Sequence, residues 1–219
     1  MRRVAVIGSG VAGLAAAHAL AGDASVTLFE AGPWFGGHAH TVDVRLEGIR
    51  HGVDTGFLVY NERTYPQLIR LFEQLGVESA AAEMSFSVQA PATGWEWSGR
   101  DLNSVFAQRS NLVSPRFWAM LRDIVRFNRI TTAIARRAAD ADLDEPIAAF
   151  LDRERFGRAF RDGYFLPMIG CIWSCPTDQM LQFPIGTMIR FCHNHGLLQL
   201  ADRPQWRTVR GGSKHYVDK

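Results

Sequence analysis

Six residues constrain this chain more than any others: Gly8-Ser9-Gly10-Val11-Ala12-Gly13, set between a short apolar run and an Ala-rich segment. Arg3 to Ile7 is β-branched and reads as a buried strand, and Val11 to Leu20 has helical propensity. In a strand-turn-helix unit, Gly8 permits the tight turn. Gly10 lets the backbone approach a pyrophosphate, and Gly13 lets the helix pack closely on the strand. The helix N-terminus then presents free N–H groups and its positive dipole end. Val26 to Phe29 reads as a second, parallel strand. It ends at Glu30, 22 residues after Gly8, where a carboxylate can accept hydrogen bonds from the ribose hydroxyls of an adenosine. A 2′-phosphorylated cofactor would want an Arg there, so NADP is disfavoured while NAD and FAD remain.

The start of the chain also imitates a secretory signal, with Arg2 and Arg3 ahead of an apolar stretch to Ala21. The glycine spacing and His18 inside that stretch argue against a signal. At 219 residues the chain can bury a sizeable core, and an apolar share of 47% excludes disordered and fibrous classes. A formal charge of +2 points to no nucleic-acid partner. Three cysteines are no disulfide framework and suit a reducing setting, in the cytoplasm or at the inner face of the membrane. No apolar run reaches the ~18 residues needed to span a bilayer.

Past the second strand, Ala31-Gly32-Pro33-Trp34-Phe35-Gly36-Gly37-His38 adds another glycine pair, which a simple NAD unit has no physical need for. The segment resembles the second glycine motif of the FAD-dependent amine oxidase, protoporphyrinogen oxidase and phytoene desaturase superfamily. The chain is similar to a bacterial group within it, associated with cyclopropane-fatty-acid-type lipid synthesis. The likeness runs through VAVIGSGVAGLAAAHAL, VTLFEA, GGHAHTV, VDTGFLVYNERTYPQL, MSFSV, WEWSG, IWSCP, NHGLLQL and WRTVRGGS. The resemblance implies that FAD is held by Gly8, Ser9, Gly10, Val11, Ala12 and Gly13 at the pyrophosphate turn, with Glu30 at the ribose. It further implies Gly36, Gly37 and His38 along the cofactor and Asp54, Thr55, Gly56 and Phe57 beside the flavin. Many members carry an Arg two residues before the glycine pair, where this chain has Trp34, so the resemblance leaves a charge contact to the phosphates in doubt. Taken as residues alone, Val53 to Phe57 could equally close a hairpin.

Thr41 to Arg45 and Ile49 to Val53 bracket Glu47-Gly48, a hairpin pattern. Met84 to Gln89 and Trp95 to Ser98 alternate around Pro91-Ala92-Thr93-Gly94, a second one. Tyr65 to Leu75 has helical periodicity and stops at Gly76. Beyond Asn103 the chain reads as mostly helical. The expected class is α/β: a Rossmann-type βαβ FAD-binding unit in residues 1–60, incomplete, followed by a mainly helical substrate region with short hairpins in 61–219.

Within the helical part, Phe117, Leu121, Ile124, Phe127 and Ile134 recur on one stripe, and Arg122, Arg126, Arg129 and Arg136 on another. From Arg109 to Arg137 there are seven Arg against one acid, Asp123. Such a helix can touch an anionic membrane through Arg122, Arg126 and Arg129, or simply present a solvated face. Cys171, Cys175, Cys192, His193 and His195 approach a zinc spacing, but the apolar setting of the cysteines reads better as core packing, and no metal is expected.

No nucleophile elbow, phosphate-loop Lys or paired carboxylates appear, so no catalytic side chain is named. The expectation is an FAD-dependent, amine-oxidase-like oxidoreductase that takes hydride from a C–H or C–N bond of a small apolar or lipid substrate, possible contacts being Tyr60, Asn61 and His195. The alternatives are an NAD-dependent dehydrogenase and a non-catalytic dinucleotide- or lipid-binding module. The superfamily completes its FAD domain with a late strand ending in Gly-Asp and a following helix. Arg207 to Lys219 offers only Gly211-Gly212-Ser213, so the resemblance implies a fragment or natural truncation with an incomplete flavin site.

Overall fold

A computed structural model describes residues 1–91, 93–137, 144–173, 175–199 and 203–219. The chain divides into two compact units, Met1–Glu83 with Pro204–Lys219, and Met84–Arg203. The division falls at Glu83 instead of near residue 60, because the segments flanking it join one sheet with the C-terminal return described below.

The first unit opens with β1 (Arg2–Ile7), α1 (Val11–Leu20) and β2 (Ala24–Phe29), the βαβ unit that the sequence pattern predicts. β1 and β2 pair in parallel from Arg2 with Ala24 to Ile7 with Phe29. α1 buries no residue, and Ile7 and Phe29 remain 80% and 52% exposed. The hairpin expected around Glu47-Gly48 forms from β3 (Thr41–Leu46) and β4 (Ile49–Asp54), with φ positive at both turn residues as a tight primed turn requires. α2 (Pro66–Leu75) starts on a proline and ends at left-handed Gly76.

A three-stranded antiparallel sheet completes this unit: β5 (Tyr60–Asn61), β6 (Ser79–Ala82) and β9 (Trp206–Val209), with β9 in the middle. A strand at 206–209 was not expected. It runs antiparallel, and among the described residues β1 with β2 is the one parallel pair. After β9 the chain turns through Gly211 and Gly212 into α10 (Lys214–Asp218). Tyr60, Phe72, Val209 and Tyr216 form the small core beneath.

The second unit is mainly helical. A hairpin of β7 (Ser87–Ala90) and β8 (Trp95–Ser98) is followed by α3 (Leu102–Val105), a 3₁₀ turn (Arg109–Val113) and the long α4 (Pro115–Arg137). Ala92, in the expected hairpin turn, lies outside the described residues. α5 (Ile147–Arg153) and α6 (Arg158–Phe160) lead into a π-helical turn, Arg161–Phe165. α7 (Leu166–Trp173), α8 (Thr177–Met180) and α9 (Ile185–Asn194) follow. Phe117, Met120, Ile124 and Phe127 carry the buried face of α4. Phe127 is packed by the rings of Phe150, Phe156, Phe160 and Phe165 at 5.4–6.4 Å. Each such ring stabilises the unit by about 1.5–3 kcal/mol through burial. Trp97 adds a polar anchor, its indole N–H donating to the Gly163 carbonyl at 3.2 Å. No described helix is long and apolar enough to cross a membrane.

Candidate functional site: a glycine-lined dinucleotide cradle

At the end of β1 the backbone reverses through Gly8, at φ +92°, a conformation side chains rarely adopt. The Gly8 N–H donates to the Phe29 carbonyl at 2.8 Å, fixing the loop to the end of β2. A Cβ at Gly8 or Gly10 would meet nothing within 4 Å, so the loop borders open space. A Cβ at Gly13 would lie 1.9 Å from the Gly8 carbonyl oxygen, so α1 can sit this close only with glycine there. Gly10 precedes α1 in extended conformation, with no side-chain cap and no acid in the first turn. The first-turn N–H groups therefore have no intrahelical acceptor and no competing anion. Open space, unclaimed donors and a positive dipole end together suit a pyrophosphate.

Glu30 does more than the spacing suggests. Its carboxylate accepts from the Ser9 N–H at 2.8 Å, from the Ser9 hydroxyl, and from the Gly32 N–H at 2.7 Å. These bonds, the Ser9 hydroxyl first, hold its carboxyl down at about 2. With Ser9 itself fully buried, the acid is a brace between the end of β2 and the glycine loop. The Ala31 backbone N–H adds to the same stabilisation.

The second glycine turn lies against the first loop. The Gly36 N–H donates to the Ser9 carbonyl at 3.0 Å, and Gly36 bridges to Gly10 in parallel. A Cβ at Gly37 would stand 3.1 Å from the Gly10 Cα. Trp34 packs its ring on His40, centroids 4.4 Å apart, at the place where the resemblance led one to look for a charge. His38 is exposed, and its carbonyl accepts from the Phe57 N–H at 2.7 Å. Thr55 closes the same ladder, donating from its N–H to the His40 carbonyl at 2.9 Å. Residues 8–13, 30, 36–38 and 54–57, separated in the sequence, are thus one connected backbone assembly.

Asp54 within it is turned to structure. Its Oδ1 accepts from the Thr41 hydroxyl at 2.6 Å and from the Ser213 N–H and hydroxyl at 2.8 Å each. The Thr41 oxygen in turn accepts from the Lys214 N–H at 3.0 Å. Gly211-Gly212-Ser213, read from sequence as an ending, is therefore clamped onto the β3–β4 hairpin. A Cβ at Gly212 would fall 2.3 Å from the Thr41 methyl. Thr41 and Ser213 were missed; the glycine pair followed by a hydroxyl residue was the available signal.

Tyr60 is buried edge-to-face on Phe72, centroids 5.4 Å apart. Asn61, wholly buried, accepts at Oδ1 from the Arg63 and Thr64 N–H groups at 3.0 Å, capping a turn. His195 belongs to the second unit, stacked on Phe191 at 4.1 Å with Nδ1 at 2.8 Å from that residue's carbonyl. Cys192 is buried beside Met188, and burial pushes its thiol up to about 12. Ser174, between Cys171 and Cys175, lies outside the described residues.

Residues 6–75 match the family described as NAD(P)-binding Rossmann-like domain. No match is found among curated proteins. Among solved structures, wild-type putrescine oxidase bound to putrescine aligns over 99% of this chain and 48% of its own, at 21% identity and TM-score 0.70. Cyclohexylamine oxidase from Brevibacterium oxydans aligns over 99% and 47%, at 20% identity and TM-score 0.66. A fatty acid isomerase of P. acnes that produces CLA aligns over 99% and 48%, at 16% identity and TM-score 0.62. The chain has the fold of about half of each of these proteins. It carries a Rossmann-type βαβ unit followed by a helical region.

Proposed function

We propose that the chain holds the adenosine diphosphate part of FAD and works as part of a flavin-dependent oxidoreductase acting on an apolar substrate. The observation that carries this is the Gly36 N–H on the Ser9 carbonyl. It lays a second glycine turn along the first loop, extending the cradle beyond what NAD requires. Bound FAD would supply the acceptor for a hydride leaving a C–H bond of the substrate, in an amine the one on the carbon next to nitrogen. The chain's own groups bind and orient. First-turn N–H groups of α1 donate to the pyrophosphate, Glu30 accepts from a ribose hydroxyl, and the 54–57 ladder shapes the wall further along. The likeness to two amine oxidases and a fatty acid isomerase supports an amine or acyl substrate, and the lipid association of the resembling bacterial group favours the acyl chain.

Titration of the purified chain with FAD, followed by quenching of flavin fluorescence, tests the reading. FAD should bind and be displaced by ADP, and Glu30→Ala should weaken it about tenfold through loss of a charge-assisted hydrogen bond. Binding of NAD with none of FAD would replace the reading with a dehydrogenase one. Binding of neither would end it.

A further inference from the structure

On an α-helix, positions i, i+4, i+7, i+11 and i+18 share one face. Counted from Trp118 on α4 these are Trp118, Arg122, Val125, Arg129 and Arg136, and all are exposed, opposite the buried Phe117, Met120, Ile124 and Phe127. The outward face of a globular helix is normally polar throughout. Here Trp118 and Val125 are 50% and 53% exposed among arginines.

Trp118 is held in that position. Its Nε1–H donates to the Leu112 carbonyl at 2.9 Å, and its ring leans on Phe106 with centroids 5.3 Å apart. The same bond brings the 3₁₀ turn alongside, with Val113 83% exposed. The charge on this face is of one sign. Asp123, the one acid from 109 to 137, is buried and takes the Gly157 N–H. Arg126 is withdrawn from the surface set that the sequence suggested: its guanidinium stacks 4.0 Å over Phe156 and donates to the Glu154 carbonyl at 2.7 Å. Arg122 stays outward, its side chain 76% exposed and only 3.7 Å from Asp123 at its nearest approach.

We propose that this face docks on an anionic phospholipid surface. Trp118, Leu112 and Val113 enter the head-group boundary, while Arg122, Arg129 and Arg136 lie against the phosphates. Trp suits that boundary because its large ring offers apolar area at the edge of the hydrocarbon, and here its N–H is already satisfied by the Leu112 carbonyl. A row of exposed cations, of which Arg122 alone has a described acid within reach, the buried Asp123, is complementary to a dense plane of phosphates, to which each Arg adds its own attraction. The proposal is independent of the cofactor reading.

The test is co-sedimentation of the full chain with vesicles of phosphatidylcholine and phosphatidylglycerol, against pure phosphatidylcholine, at low and raised salt. Binding should require the anionic lipid and weaken as salt rises. Arg122→Gln with Arg129→Gln should lower the partition coefficient about thirty-fold, and Trp118→Ala with Val113→Asp about tenfold or more. These residues are exposed, and thermal melts matching the parent confirm that the variants fold. Equal binding to neutral vesicles, or arginine variants that bind like the parent, would overturn the proposal. So would self-association of the parent, seen by sedimentation velocity and dispersed by Val113→Asp, which would assign the face to a second copy of the chain.

Discussion

The clamp at Asp54 is open to a quantitative test. Replacing Asp54 by Ala removes one acceptor shared by three donors: the Thr41 hydroxyl and the Ser213 N–H and hydroxyl. The hydroxyls can rotate toward each other, since their oxygens already stand 3.4 Å apart. The Ser213 N–H cannot, and Ser213 is 1% exposed, so that donor is left buried and unsatisfied. An orphaned donor costs about 1–3 kcal/mol, and each lost bond to a charged group adds up to about as much again. Allowing for the half-exposed setting of the carboxylate, about 3 kcal/mol is expected in all. In a chain of this size that lowers Tm by about 6–12 °C. Asp54→Asn keeps a neutral Oδ1 and should lose about half as much. Scanning calorimetry reads the Tm, and hydrogen exchange reads the Ser213 and Lys214 amides, which should lose protection in the Ala variant. A Tm within about 2 °C of the parent with both amides still protected would refute the clamp.

Two further outcomes follow from the cradle. Gly13→Ala places a methyl 1.9 Å from the Gly8 carbonyl oxygen, so α1 must move off the loop; FAD titration should show affinity down at least about a hundredfold, with far-UV circular dichroism little changed, and an unaltered affinity would contradict the packing. Glu30 and Asp43 both titrate at about 2, below their ordinary 4.5 and 3.8. Their contribution to stability is therefore complete above those ordinary values and lost as pH falls toward 2. The acid limb of the Tm profile should be shallower in Glu30→Gln, and superimposable limbs would show that the Ser9 brace is not felt.

Much of the first unit was legible because its signals are local. The glycine spacing, the β-branched run before it and the acid at the end of the next strand all fall within thirty residues, and β1, α1 and β2 form there. The Glu47-Gly48 turn and the Gly76 cap were readable for the same reason. What stayed hidden depends on distant partners. β9 is four residues long and finds its mates in β5 and β6, so no period in its own sequence marks it. Asp54 carries no sign in the sequence of its bond to Ser213. Arg126 shows the limit of helical periodicity: it lies on an arginine stripe, yet Phe156 and the Glu154 carbonyl draw it inward. Glu30 was placed at the right position for a ribose, but its three bonds to the glycine loops depend on backbone that spacing alone does not locate.

The return of β9 to the first unit also sets an order of folding. Residues 84–203 form a contiguous unit, whereas the first unit is split across it. Pairing Ala82 with Trp206 closes a loop over that whole span. If the span is still unfolded, closure must work against the entropy of a long flexible chain; once the second unit has condensed, much of that entropy has already been lost. The helical unit, rich in local contacts, is therefore expected to fold first, with the β5–β9–β6 sheet and the Asp54 clamp formed last. The glycine cradle begins the sequence, yet the clamp behind its wall is fastened by residues near the C-terminus of this chain.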